Sequence, residues 1–382
     1  MGNTAAALYE AHAAGIRPEP VLSVSEWADR YRRLPSKSSA EPGPWRTDRT
    51  PYLREIMDCL SSTSEVEEIV LMKAAQVGGS EAILNAMGYV IDHAAGPMIV
   101  VLPTVDLAKR FSRQRVDPLI TDTPRVARKV AGSRERDSGN TMLVKSFPGG
   151  QMIITGANSA AGLRSMPAQY AFMDEIDAYP VDVDEEGSPI ALVEARQRTF
   201  ARRKRAKVST PTIAGRSAIE AAYDASDQRR YYVPCPDCGE RQPLVFAQLT
   251  WTKLGLLPER AVYECRACFF PMQEHQKAQM LPWGSWVAER PDRIGKVRGY
   301  HLNALYAPVG WMSWGEIARQ FVDVHRDPEK HRVFINTVLG EVWTAKGEAP
   351  AWEGLQRRRE SYPIGTVPQE ALFLTAGVDV QK

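Results

Sequence analysis

Residues 68–81 read EIVLMKAAQVGGSE. The opening run, Glu68 to Met72, is short and apolar, the pattern of a strand buried on both faces. A glycine-containing turn follows it, and Ser80 to Ile91 takes a helical pattern. Strand, glycine turn and helix are the setting that a phosphate-cradling loop requires. In that setting backbone N–H groups point inward and the helix N-terminus favours negative charge. Gly78 and Gly79 permit close backbone approach, and Ser80 can offer its hydroxyl to Mg²⁺. The common pattern G-x-x-x-x-G-K-[ST] fails in two places, since Lys73 stands at its first glycine and Gly79 at its lysine. Lys73, at the start of the loop, offers a positive charge instead. Taken alone, such a turn is more often structural, so its surroundings decide.

The surroundings repeat the pattern. Pro97–Pro103 is a second apolar run, Asp106 to Ile120 reads as a helix, and Gln151–Thr155, Tyr170–Met173 and Ala206–Thr210 read as further strands. Strands alternating with helical segments imply an α/β fold, a mostly parallel sheet flanked by helices. The strand at Tyr170 runs into Asp174-Glu175. Asp174 can hold Mg²⁺ through water, and Glu175 can polarise an attacking water. The plain alternative is a solvated acidic turn, since Asp177 follows soon after. A variant phosphate loop roughly a hundred residues upstream, in an alternating chain, is much rarer by chance. Ser209-Thr210-Pro211-Thr212 ends the next strand, where a hydroxyl such as that of Thr210 can sense a γ-phosphate; a proline-terminated strand explains it equally. Upstream, Thr50 and Pro51 read as the N-cap and first residue of a helix.

Net charge is only +2, from 48 Lys and Arg against 46 Asp and Glu, so no whole-molecule basic field gathers polyanions. Nucleic-acid binding needs a local patch, for which Arg196 to Lys207 is the densest basic run; a solvated helix end explains that run as well. No stretch approaches the ~20 apolar residues of a membrane span. The N-terminus lacks a secretory pattern, and Ala6 breaks a myristoylation motif, so a cytoplasmic protein is expected. Cys235-Pro-Asp-Cys238 and Cys265-Arg-Ala-Cys268 are two C-x₂-C knuckles separated by 26 residues. They suit one structural Zn²⁺ bound by four thiolates, with Gly239 allowing the turn after the first knuckle. Cys59 is left as a small buried residue. Trp283, Trp286, Trp311, Trp314 and Trp343 read as packing residues.

Together these stretches resemble the lambda-type (GpA family) terminase large subunits of tailed bacteriophages. The likeness runs through KAAQVGGSE, PMIVVLPT, GANSAAGLRSMPAQYAFMDEIDAYP, VSTPT, CPDC, RGYHLNALYAP and LTAGVDVQ, nearly the whole chain. In that family the loop lysine stands upstream, as Lys73 does here. The resemblance implies nucleotide binding by Lys73, Gly78, Gly79, Ser80 and Thr210, a metal role for Asp174 and a catalytic role for Glu175. It places Tyr52 near adenine, with a core tyrosine as the alternative. It makes Arg164 a candidate for stabilising transferring phosphate charge, with a solvated arginine as the alternative. Position 81, Glu81, carries no basic contact over. The last strand, with Asp379, would open an RNase H-like nuclease whose metal that aspartate helps to bind. Since two-metal cleavage draws on several later carboxylates, the chain up to Lys382 is not expected to cut DNA.

The implied layout is an N-terminal segment (1–48), a P-loop ATPase core (49–228), a small zinc ribbon (229–275), an α-rich linker subdomain (276–370) and the first nuclease strand (371–382). The implied function is ATP hydrolysis, with ATP, Mg²⁺ and Zn²⁺ bound, to drive double-stranded DNA into a procapsid in the host cytoplasm. The implied partners are a terminase small subunit, a portal and further copies of the same chain, with no membrane. A non-enzymatic zinc-ribbon DNA-binding scaffold and a helicase-like ATPase are the rivals.

Overall fold

The computed structural model describes residues 19–344, apart from 38 and 131–139, together with positions 9 and 12. Residues 1–343 form one compact unit and 344–382 a second. At the start of the first unit lies a small ribbon, β1 (Arg33–Leu34) with β2 (Gly43–Pro44). The centre is a ten-stranded sheet. Its strands are β3 (Glu68–Lys73), β4 (Met98–Leu102), β5 (Val144–Phe147), β6 (Gly150–Gly156), β7 (Tyr170–Asp174) and β8 (Lys204–Ser209). Later in the chain come β9 (Arg229–Pro234), β10 (Arg241–Pro243), β14 (Ser285–Ala288) and β15 (Val297–Leu302). A separate three-stranded sheet holds β11 (Leu249–Thr250), β12 (Val262–Glu264) and β13 (Pro271–Met272).

The main order is β10-β9-β15-β3-β8-β7-β4-β6-β5, with β14 also on β9. From β9 to β6 every pairing is parallel, while β5, β10 and β14 join antiparallel. Parallel strands covered on both faces need apolar side chains at every position. β3, β4 and β7 are accordingly buried throughout. Val70, Met72, Ile99, Val101, Ala171 and Met173 face one core, with Leu163, Val193 and Ile219. Ile69, Leu71, Met98, Val100 and Phe172 face the other, under the helix Gly79–Asp92. On that side Trp27 is fully buried against Gly88, where a Cβ would lie 2.4 Å from the indole.

Several local expectations shift. The helix expected from Pro51 begins at Leu53, after a turn that includes Thr50. The stretch assigned to a linker contains helices Trp314–Val324 and Pro328–Phe334, but it also supplies β14 and β15 to the main sheet. β15 lies directly beside β3, with Leu302 opposite Lys73. The first hairpin of the expected ribbon, β9–β10, is also part of that sheet. The basic run is largely consumed internally. Arg203 pairs with Glu67, and Arg205 and Lys207 both pair with Glu68 and Glu194. Lys204 is buried with its ammonium donating to the carbonyls of Cys59, Ser64 and Val66.

Candidate active site

β3 delivers the buried Lys73 to the start of the loop, whose first amides are pinned from outside it. Ala74 N donates to Leu302 O (2.7 Å) and Ala75 N to Thr337 O (2.7 Å). Gln76 (φ 58°) and Gly78 (φ 89°) are left-handed. Such interruptions fold successive N–H groups toward one concavity, the geometry of an anion nest. At Gly79 a Cβ would come within 2.6 Å of Lys73 Cδ, because the lysine side chain lies across that glycine.

The acidic strand β7 is separated from β3 by β8 alone. That spacing brings the two functional ends together. Ser80 Oγ donates to Asp174 Oδ2 (2.9 Å), and Lys73 Nζ lies 3.4 Å from Glu175 Oε1. Asp174 is buried; burial pushes its carboxyl up, and the nearby Lys73 ammonium opposes that. Glu175 adopts φ 55°, ψ 50°, a left-handed conformation that costs a non-glycine residue about 1 kcal/mol. Its side chain is 44% exposed, so water reaches it.

Asp177, read above only as part of an acidic turn, is a connector. Its N–H donates to Ser209 Oγ (3.2 Å), while its carboxylate accepts from Thr212 Oγ1 and from Ile219 N (both 2.8 Å). The Ser209–Thr212 motif is thereby tied to the acidic strand. Thr212 O also accepts from Asn336 Nδ2 (2.7 Å), one residue from the Thr337 carbonyl that holds the loop.

These groups open on a cavity of about 780 Å³, lined by Lys73, Gly78, Gly79, Ser80, Glu175 and Thr210 among others. Small-molecule sites run ~300–1,000 Å³, so a nucleoside triphosphate fits. Two residues expected here are elsewhere. Tyr52 is fully buried, edge-on to Tyr231 (6.2 Å between centroids), and its carbonyl accepts from Trp286 Nε1 (2.8 Å). It is a core tyrosine and does not line the cavity. Arg164 is half-exposed and paired with Glu186 (2.9 Å), also off the cavity wall. The aromatic residues on the wall are Trp45 and Trp311, and its arginines are Arg46, Arg49 and Arg115. Glu41 organises part of this wall, accepting from Arg49 (2.7 Å) and from Trp311 Nε1 (2.9 Å). Trp45, Arg46, Arg49 and Arg115 belong to none of the motifs legible in the sequence.

The four knuckle cysteines converge. Cys235 and Cys268 Sγ lie 3.9 Å apart, Cys238 and Cys265 Sγ 3.8 Å, and all four sulfurs fall within 4.8 Å. A tetrahedral Zn–S bond of about 2.3 Å sets sulfurs about 3.8 Å apart, so the cluster fits Zn²⁺. The knuckles repeat one geometry, with Gly239 N donating to Cys235 O and Phe269 N to Cys265 O. Gly239 (φ 77°) and Phe269 (φ 61°) are both left-handed. Burial opposes ionisation of Cys265, but the N–H groups of Cys268 and Ala267 together with the Cys268 and Cys235 thiols bring it down to about 6.

Over residues 39–286 the chain matches the family described as phage terminase large subunit gpA, ATPase domain. It belongs to that family. Residues 297–382 match the terminase large subunit gpA endonuclease domain, a match that begins at β15, inside the sheet carrying the terminase loop. Asp379, within that second match, lies outside the described residues. The large terminase subunit of Escherichia phage lambda is 32% identical over 96% of this chain. That of Enterobacteria phage P21 is 30% identical over all of it. The chain spans 59% and 62% of those two relatives' lengths. A solved Thermus phage P74-26 large terminase ATPase domain is similar at a TM-score of 0.41 and 14% identity, covering 77% of this chain and 96% of that one.

Proposed function

We propose that this chain is the ATP-hydrolysing motor of a phage terminase, moving double-stranded DNA into a procapsid. The observation that carries the reading is the pairing of the two strand ends: Ser80 with Asp174, and Lys73 with Glu175, on one cavity. The Ser80 hydroxyl and Asp174 carboxylate are adjacent hard oxygen donors, which suits Mg²⁺. When bound there, Mg²⁺ would neutralise phosphate charge. The loop N–H groups and Lys73 hold the phosphates, while the accessible Glu175 carboxylate orients a water and takes its proton. Thr210 on the cavity wall, with the Asp177–Thr212 tie, offers a route by which loss of a phosphate reaches neighbouring elements.

Arg164 lies off its own cavity, so its proposed service to transferring phosphate would be to a neighbouring copy in a packaging oligomer. The thiol cluster is proposed to hold Zn²⁺ as a structural ion. No helix among the described residues is long and apolar enough to cross a membrane. The small subunit, the portal, duplex DNA and action in the host cytoplasm belong to this proposal. So does DNA cutting, in a chain that joins Asp379 to further carboxylates. The test is direct: the purified chain should bind Mg–ATP and hydrolyse it, and Glu175→Gln should keep the binding and lose the turnover. Absence of ATP binding up to millimolar concentration would remove the reading.

A further inference from the structure

The cavity carries a charged feature that the reading above does not use. Arg115 and Glu81 both line it, and their charged groups meet at 3.3 Å. Glu81 also holds Arg32 at 3.3 Å, whose side chain is 1% exposed. Burial presses the Arg32 pKa down, with Glu81 and Asp122 opposing, yet a guanidinium remains charged. Glu81 is shared between two guanidinium groups, so it neutralises Arg115 only in part, and Arg115, 35% exposed, lies on the cavity wall.

The placement of Arg115 is rigid. It lies in a single wide π-type turn, Ser112–Val116, between helices Val105–Phe111 and Asp117–Asp122. Wide turns of this kind rotate side chains off the regular helical face and are frequent at functional sites. Val116 and Leu119 beyond it are fully buried, and Leu119 packs beside Gly88 of the helix that starts at Gly79. Arg115 is thus held against the first turn of the helix that carries Ser80.

We propose that Arg115 is a phosphate contact of the nucleotide site, positioned by Glu81, with Arg32 as the buried partner of the same carboxylate. The inference rests on the nucleotide reading of the cavity. A triphosphate brings several negative charges, and Lys73 already faces Glu175. Arg49 is committed to Glu41 and to Val309 O. Arg46 is exposed and makes no ion pair or side-chain hydrogen bond among the described residues. Arg115 is a cavity cation whose carboxylate partner is shared and whose backbone is anchored by buried neighbours, and its planar fork matches phosphate oxygens in pairs. Glu81 acts through it; without that carboxylate the two arginines repel.

Isothermal titration of the whole chain with Mg–ATP, Mg–ADP, pyrophosphate and adenosine tests this. Arg115→Ala should weaken the three phosphate ligands tenfold or more and leave adenosine unchanged, and Arg115→Lys should recover part of the loss. Glu81→Gln should weaken the phosphate ligands several-fold in the wild-type background and not at all beside Arg115→Ala. Wild-type affinity for ATP and pyrophosphate in Arg115→Ala overturns the inference while leaving the nucleotide site standing. A wild-type chain that binds none of the four ligands removes both.

Discussion

Lys73 and Gly79 occupy each other's space: the lysine's Cδ and Cε lie 2.6 and 2.9 Å from where a Gly79 side chain would begin. In the common loop pattern the lysine itself stands at the second of these positions. Here the cation comes from six residues earlier, and its aliphatic stem crosses the position that the usual lysine would have taken. The glycine is therefore a condition of the displaced lysine, and the two departures from the common pattern are one structural change.

The expected consequence is that Gly79→Ala behaves like a lysine variant. The new methyl group forces the Lys73 stem aside and carries Nζ off the phosphate site. Gly79→Ala should weaken nucleotide binding about tenfold, which is ~1.4 kcal/mol. Lys73→Ala should do at least as much, and the double variant little more than Lys73→Ala alone. Titration calorimetry decides it; additive losses would mean that Gly79 acts independently of the lysine.

Glu175 combines a strained backbone with the reactive position. Glu175→Gln keeps the strain and removes the proton acceptor, so turnover should fall ~10²-fold or more with nucleotide affinity retained. Glu175→Gly removes both. Its melting temperature should be equal to or above wild type, because the left-handed conformation costs glycine nothing. Steady-state hydrolysis and thermal unfolding of the same preparations check both statements. A clear loss of stability in Glu175→Gly would show that the side chain supports the fold.

The central strands were legible because burial on both faces writes itself as an unbroken apolar run, as in Ile69–Met72 and Met98–Leu102. β15 escaped because Arg298 and His301 interrupt its apolar residues, and its partner β3 lies more than two hundred residues earlier. The acidic pair and loop were legible as local motifs. Arg115, Trp45 and Trp311 come from three distant segments and share a wall only through the fold. Tyr52 shows the converse. The family resemblance pointed it toward the nucleotide, but its ring packs edge-on to Tyr231 in the core and its carbonyl accepts from Trp286 Nε1.

His301 ties the loop's support to pH. It is buried on β15 with Nε2 3.0 Å from Gly340 O. Gly340 in turn abuts Ala74, where a Cβ would lie 2.7 Å from the amide. Burial first, then Arg230, brings the imidazole down to about 4. An unfolded histidine titrates near 6.5, so the unfolded chain takes up the proton first as pH falls. The contribution is whole above about 6.5 and is lost progressively toward about 4, at most roughly 3 kcal/mol. Urea unfolding at pH 7.5 and pH 5 should show that decline, and His301→Gln should flatten it. An unchanged slope in the variant would assign the acid sensitivity to other groups.

The last expectation concerns the thiol cluster, and the fold changes what its loss should do. A self-contained ribbon would unfold alone when its metal is removed. Here Cys235 follows directly on β9, which lies parallel to β15, itself beside β3. Tyr231 of β9 packs against Tyr52, Trp286 and Tyr306, and its carbonyl accepts from the Tyr306 hydroxyl. Structural zinc contributes on the order of 10 kcal/mol to small zinc modules. Cys238→Ser should therefore lose the metal and lower the melting temperature of the whole first unit, with nucleotide affinity measured at low temperature falling as β9 loosens. Elemental analysis of protein purified without chelator should find one zinc per chain in the wild type and far less in the variant. A wild type with four free thiols, no metal and an unaltered melting temperature after chelation would show that the sulfurs gather for packing alone.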